Sequence, residues 1–277
     1  MHKLYLVTLS KRKLLFTFSV IFGLLLIFLV VLKYDWPTRE TSIMLDNEDS
    51  SWKKSKLAIV IDDFGTGREG VKEMVAIDQH MTFAIMPFSE YTKEDAEKAH
   101  QNGFEIIAHL PMESYHGKRS WLGKQPILAG MEGDAVRQIV RDSIDDVPYA
   151  VGANIHMGSK ASGKEIIISA VLDVIQERGL YFLDSRTATH PIAKELASLR
   201  GIPCYERNVF LDGQQPKSFV KKRLREAAKI AVDKGYAVAI GHVGIEGGKV
   251  TAQAITEMLP EFDAMGIELV FISELQE

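Results

Sequence analysis

One cysteine, Cys204, stands in a chain of 277 residues. A lone thiol builds neither a disulfide framework nor a cysteine-rich zinc site within one chain, so any metal must be held by histidines and carboxylates. Positive charge is not in excess either: 33 Lys and Arg face 37 Asp and Glu, a formal net charge of −4, and no basic field advertises a nucleic-acid partner. No G-x-G-x-x-G follows a strand, no Walker sequence is present, and "GIEGGK" at 244–249 has the wrong spacing for a phosphate loop, so a nucleotide cofactor is unsupported. The G-x-S-x-G elbow of α/β-hydrolases is missing as well. There is no internal repeat. The composition, 46% apolar and 25% charged, is that of a globular chain large enough for one sizeable core. Cys204, among the apolar neighbours of "IPCY", is expected to be buried and inert.

The N-terminus departs from that average. Residues 14–32, "LLFTFSVIFGLLLIFLVVL", carry no charge and are long enough to cross a bilayer as a helix. Lys3, Lys11, Arg12 and Lys13 precede the run and only Lys33 follows it at once, which places residues 1–13 in the cytoplasm and the rest outside. No small-x-small cleavage site follows, so the expectation is an uncleaved single-pass anchor in the cell membrane. Residues 33–55 are polar and acidic without periodicity, a linker between the anchor and a domain spanning 56–277.

From Lys56 onward, short β-rich runs alternate with helical patterns, the signature of a parallel sheet with helices outside it. The strands read "KLAIVI", "MTFAIMP", "FEIIAHLP", "AVGANIH", "LYFLD", "IPCYERNVFLD", "YAVAIGH" and "LVFIS". Helical stretches lie near 69–76, 93–102, 134–145, 164–178, 191–200, 219–234 and 251–265, and Gly103, Gly179 and Gly235 each fit a helix C-cap. Seven or eight βα units in one chain of this size predict a single (β/α) barrel, with an open doubly wound sheet as the alternative.

Both architectures carry their sites at the carboxyl ends of the strands. Those ends are polar in a way that chance placement along strands and helices would not produce. Strand one ends in Asp62 and Asp63; strand three in His109, with Glu113 four residues on; strand four in Asn154 and His156; strand five in Asp184, then Arg186; strand seven in His242. Imidazoles and carboxylates gathered on one rim are what a zinc-like ion needs: two His and one Asp, with a position left open for water. In metal-assisted hydrolysis one carboxylate ligates the ion while a second takes the proton from water. Adjacent residues leaving a strand point in different directions, so Asp62 and Asp63 can divide these jobs, in an order that alternation does not set.

"IVIDDFG", "AHLPMES", "GANIHMGS", "YFLDSRT" and "AIGHVGIEGG", in this order from Lys56 to the C-terminus, resemble the motifs of the divergent polysaccharide deacetylases, relatives of the NodB-type carbohydrate esterases. The resemblance implies a distorted (β/α) barrel of seven or eight units, a divalent metal with zinc first among candidates, and removal of N-acetyl groups from an amino-sugar polymer. Residue by residue, Asp62 resembles the general base, Asp63 the ligating Asp, His109 the first His of the His-x-x-x-His metal motif and His242 the late histidine that acts as general acid. Glu113 stands where the second His of that motif would be. His156 on the next strand is then the expected third ligand, with Glu113 either ligating or orienting His109. Asp184 and Arg186 fall where the family orients its late histidine and lines the pocket. Tyr115, Trp121 and Phe64, near these motifs, are candidates to stack on sugar faces. An anchored enzyme of this kind would face a cell-envelope polysaccharide.

Two other classes compete. A membrane-tethered glycan- or protein-binding module would have kept the barrel and lost the chemistry; Glu113 favours it, whereas Asp62 and His242, which binding alone does not require, count against it. A phosphoesterase would want two metals and a positive clamp for phosphate, and the rim motifs offer only Arg186.

Overall fold

The structure, a computed structural model, describes residues 54–275. The anchor expected at 14–32, the cytoplasmic segment 1–13 and nearly all of the linker lie outside the described residues. Among the described residues no helix is long and apolar enough to cross a membrane.

The elements run β1 (Ser55–Phe64), α1 (Val71–Val75), β2 (Thr82–Ile85), α2 (Thr92–Gln101), β3 (Glu105–Met112), α3 (Gly133–Asp146), β4 (Gly152–Met157), α4 (Glu165–Glu177), β5 (Tyr181–Asp184), α5 (Ala193–Ser198), β6 (Cys204–Glu206), β7 (Val209–Phe210), α6 (Lys217–Lys234), β8 (Tyr236–His242), α7 (Gly248–Ala264) and β9 (Ile267–Val270). Every strand pair is parallel, in the order β6-β5-β4-β3-β2-β1-β8-β7. β9 is an added strand that pairs with the first residues of β1, from Ser55 to Ala58. Spatial order follows chain order without the reversal that a doubly wound sheet requires, so the open-sheet alternative is set aside.

Curling follows from the connectivity. The edge strands β6 and β7 are separated only by Arg207 and Asn208, and three Cα steps reach at most about 11 Å. The edges must therefore come together. Arg207 N donates to Asp184 O on the β5 side (3.0 Å), while Asn208 N donates to Val238 O on the β8 side (2.8 Å). Asn208 Oδ1 accepts from Val238 N (2.7 Å), completing a two-way clamp. The sequence reading expects one strand over "IPCYERNVFLD"; the structure splits it because its first half bonds to one edge of the curled sheet and its second half to the other.

Alternation along the strands sorts the core into two layers. Leu57, Ile59, Ile61, Phe83 and Ile106 belong to the layer packed against the helices, in which the rings of Phe64, Phe83 and Phe104 stack at 4.3 and 4.2 Å. Ala58, Val60, Ile107, Val238 and Ile240 fill the inside of the curl, joined by Ile272 and Leu275 of the C-terminal turn. One inward step further along the same strands come Asp62, His109 and His242. The apolar filling stops there and polar chemistry begins. Gly103, Gly179 and Gly235 have φ of 77°, 64° and 87°, the left-handed conformation expected of helix C-caps.

Asn208→Ala removes the side-chain acceptor at the junction and leaves Val238 N–H buried without its partner. Chemical denaturation should show a loss of about 1–3 kcal/mol with an unchanged m-value.

Candidate metal centre

The two adjacent aspartates reach one site through a backbone irregularity. Ile61 pairs with Phe83, but Phe64 pairs with Ile85, so three steps on β1 match two on β2. The extra residue makes a β-bulge, and Asp63 within it takes a left-handed backbone with φ 70°. Strict alternation would send Asp62 and Asp63 to opposite faces. The bulge instead turns Asp63 back toward the rim that Asp62 faces, and Thr66 Oγ1 steadies the turn by donating to Asp63 O (2.8 Å).

Three donor atoms then converge. Asp63 Oδ1 lies 3.3 Å from His109 Nε2 and 3.0 Å from His156 Nδ1, and the two nitrogens are 3.2 Å apart. Ligands about 2.0–2.1 Å from a tetrahedral ion stand about 3.3 Å from one another, so this spacing is that of one face of a zinc-type tetrahedron. The protonation pattern agrees. Asp62 as a carboxylate can only accept, so Asn154 must turn its Nδ2 to Asp62 Oδ1 (2.8 Å) and its Oδ1 to His109 Nδ1 (2.6 Å). His109 Nδ1 therefore carries the hydrogen, and the Nε2 lone pair points at Asp63. His156 Nε2 likewise donates to the carbonyl of Trp121 (3.1 Å), which leaves its Nδ1 lone pair facing the same point. Asp63 Oδ1 is buried and has no hydrogen-bond partner. An anionic oxygen and two imidazole lone pairs aimed at one point fit a divalent cation, with Asp63, His109 and His156 as its ligands.

Two proton-transfer groups flank the donors. Asp62 is buried, and burial raises its pKa above the ordinary carboxylate value even though His109, His242 and Asn154 pull it down. A carboxylate of raised proton affinity suits a general base. His242 pairs in register with Asp62 across β1 and β8. Its Nδ1 is 2.7 Å from Asp212 Oδ1, and Asp212 Oδ2 accepts from His242 N (2.8 Å) and Thr251 Oγ1 (2.7 Å). Burial opposes the imidazolium, but the hydrogen bond and charge of Asp212, with Asp63 and Asp62 beyond, hold the His242 pKa up at about 10. Protonated His242 is an acid aimed at the rim.

Asp62, Asp63, His109, His156, Asp212 and His242 all open on one cavity of about 690 Å³, walled in part by Met86, Trp121, Met157, Phe210 and Ile245. Thr187 Oγ1, buried and without a hydrogen-bond partner, lies in the same wall.

The structure brings together Asp62, Asp63, His109, His156 and His242, and does not bring Glu113, Asp184 or Arg186 to them. Glu113 is committed elsewhere: its carboxylate accepts from Lys160 Nζ (2.6 Å) and Ala129 N (2.8 Å). Asp184 follows Phe182 on the outward register of β5 and caps the backbone of Arg186 N (2.7 Å), while Arg186 pairs with Glu206 (3.7 Å). The residue that orients His242 is Asp212. It closes the segment "VFLD", so the strand-end criterion that picks out the other acids also applies to it. Of the proposed stacking aromatics only Trp121 lines the cavity; Phe64 is buried against Phe83, and Tyr115 stands outside. Cys204 is half-buried, and burial pushes its thiol up to about 12, far from a nucleophile.

The class these features define is a curled parallel α/β sheet whose carboxyl rim carries a His-His-Asp donor set that could hold a divalent ion. The chain belongs to the divergent polysaccharide deacetylase family, whose sequence profile matches residues 59–276. The uncharacterized protein YibQ of Escherichia coli K12 is 34% identical over 206 residues, 74% of this chain and 64% of that protein, so the chain spans somewhat less than two thirds of that relative. An uncharacterized Haemophilus influenzae protein is 32% identical over 192 residues, 69% of this chain and 68% of its own. The fold is shared with an uncharacterized Agrobacterium tumefaciens protein at TM-score 0.74 and 21% identity, covering 80% of this chain and 89% of that one. A candidate polysaccharide deacetylase of Mycobacterium smegmatis shares it at TM-score 0.56 and 15% identity, with 80% and 89% covered.

Metal binding must displace protons from this site. Burial lowers the His109 pKa, but Asp62 and Asp63 more than offset this and raise it above its ordinary value, so protons compete with a cation over a pH range lying above the usual histidine titration. Zinc affinity, followed by chelator competition, should fall as pH falls through that range. Asn154→Ala should weaken it roughly 10–100-fold, and Glu113→Gln should leave it unchanged.

Proposed function

We propose that the chain is a metal-dependent hydrolase, zinc being the ion its donor set fits best, that removes N-acetyl groups from an amino-sugar polysaccharide of the cell envelope. In this reading residues 14–32 anchor it in the membrane and residues 33–55 tether the domain on the extracytoplasmic side. The observation that carries the proposal is the convergence of three lone-pair donors between a buried carboxylate, Asp62, and a protonated histidine, His242. A binding protein has no use for that pairing. A divalent ion held by Asp63, His109 and His156 would polarise the acetamide carbonyl and acidify the attacking water. Asp62 takes one proton from that water as its oxygen bonds to the carbonyl carbon. His242 gives its Nε2 proton to the nitrogen as the C–N bond breaks, so acetate and a free amine leave as separate molecules. Asp212 keeps His242 turned toward the nitrogen and charged until that moment. The proton left on Asp62 is lost to solvent, and His242 is recharged from it. The apolar walls formed by Met86, Trp121 and Phe210 suit a sugar face and an acetyl methyl, and the cavity has room for a sugar unit.

Asp62→Asn should keep the metal and lose about 10²–10⁴-fold in acetate release from N-acetylated oligosaccharides. His109→Ala should lose both. If the unsubstituted chain binds metal and glycan but releases no acetate, the chain is a binding module on the same barrel.

Asp212→Asn removes the partner that raises His242. The acid works while protonated, so the alkaline limb of the rate profile, set by a pKa of about 10 in the native protein, should move to lower pH. The folding stability supplied by this pair is present below the ordinary histidine pKa and is lost as pH rises through about 10.

A further inference from the structure

The loop between β3 and α3 carries positive charge that no carboxylate in the fold pairs with directly. From Ser114 to Met131 it contains no Asp or Glu, yet it holds His116, Lys118, Arg119 and Lys124, in a chain whose net charge is −4. Every other arginine among the described residues is ion-paired or donates to a backbone carbonyl. Arg119 makes no hydrogen bond or ion pair with any of them. The Lys118 ammonium makes no hydrogen bond or ion pair among the described residues, and its Nζ lies 5.9 Å from the centre of the Trp121 ring. The acid that opens the loop, Glu113, borders the same recess and feels the Arg119 charge, but its oxygens are hydrogen-bonded to Lys160 and the Ala129 amide.

Position gives these cations a purpose. Trp121, 55% exposed, lines the reaction cavity, while Lys118 and Arg119 line a recess of about 140 Å³ beside it; Met157 borders both spaces. A polymer lying across the site would place one sugar at the donor triad, run over the Trp121 ring and bring its next unit to the recess. A guanidinium with all its donors free matches a carboxylate or a phosphate, each of which accepts two parallel hydrogen bonds. A neutral sugar would leave that charge unused.

We propose that Lys118 and Arg119 form a subsite for a negatively charged group, carboxylate or phosphate, on a sugar adjacent to the one being deacetylated. The substrate would then be an acidic glycan. The proposal rests on the deacetylase reading only for the acetylated glycan as ligand.

The test uses the full chain carrying Asp62→Asn, so that ligand is not consumed, and calorimetry with three N-acetylated oligosaccharides of equal length: neutral, uronate-containing and phosphate-bearing. At least one charged ligand should bind about tenfold more tightly than the neutral one at low salt, with a preference that shrinks as salt is raised. The stronger arm identifies the anion. Lys118→Gln combined with Arg119→Gln should abolish the preference while leaving neutral-ligand affinity and metal content intact; Lys229→Gln, on the exposed face of α6, should not. Equal binding of all three ligands, or a preference that survives the double substitution, overturns the subsite. Acetate release by the unsubstituted chain, measured on the neutral ligand, is a separate readout. Its absence beside an intact anion preference removes the hydrolase and keeps the subsite, and the converse result removes the subsite alone.

Discussion

Asp63 Oδ1 is a buried carboxylate oxygen that meets no backbone or amide N–H and faces only the ring nitrogens of His109 and His156 within hydrogen-bond range, and much of the rim is arranged around it. Leaving a charged acceptor unsatisfied costs more than the roughly 1–3 kcal/mol of a neutral group, so a fold that only needed stability would have placed an N–H there. Two imidazoles are within reach, and in each the ring hydrogen is drawn to the far nitrogen, by Asn154 for His109 and by the Trp121 carbonyl for His156. Lone pairs are thereby collected where hydrogen bonds would have been. The bulge that delivers Asp63 is part of the same arrangement, since a regular strand would have carried its side chain away from the rim.

The second buried acid is handled in the opposite way. Asp212 is fully bonded, and the glycines of "GHVGIEGG" are what let it fit. A Cβ on Gly247 would stand 2.1 Å from Asp212 Oδ2 and 2.4 Å from Thr251 Oγ1, and one on Gly241 would stand 3.1 Å from the same carboxylate oxygen. A side chain at 247 would displace Asp212 and free His242 to lose its proton and its orientation. Gly248 serves a different contact. A Cβ on Gly70 would meet the Gly248 backbone at 2.4 Å, so the start of α7 lies directly against the loop that leaves the Asp62–Asp63 bulge. The unsatisfied anion on β1 and the satisfied one just past β7 are thus linked through β8, which pairs with both strands.

Much of this was legible in sequence because parallel βα units put strand ends on one rim, and strand ends can be found from apolar runs. That reasoning reaches Asp62, Asp63, His109, His156 and His242. It fails where orientation depends on register. Asp184 ends its strand as the others do, but it is on the outward parity with Phe182, which a four-residue strand read alone does not disclose. Asp212 also ends an apolar segment, but the pattern reads that segment as one long strand, and only the junction at Arg207 and Asn208 shows that β7 belongs beside β8, with Asp212 next to His242. Asn154 was visible as a polar strand end, yet its part in setting the His109 tautomer needs the carboxylate of Asp62 on its other side.

Glu113 is the departure that most clearly separates this chain from the His-x-x-x-His pattern, and the strand register explains why the donor set survives it. His109 pairs with Asn154, and two residues along β4, on the same inward parity, comes His156. One strand therefore supplies both the third ligand and the group that orients the second. With the ligand drawn from β4, the β3–α3 loop owes the metal centre only the carbonyl of Trp121, a backbone atom that any residue provides. Its side chains are released from coordination. Glu113 can then pin the base of the loop through Lys160, and Lys118 and Arg119 can be cations beside the reaction cavity without disturbing the donors within it.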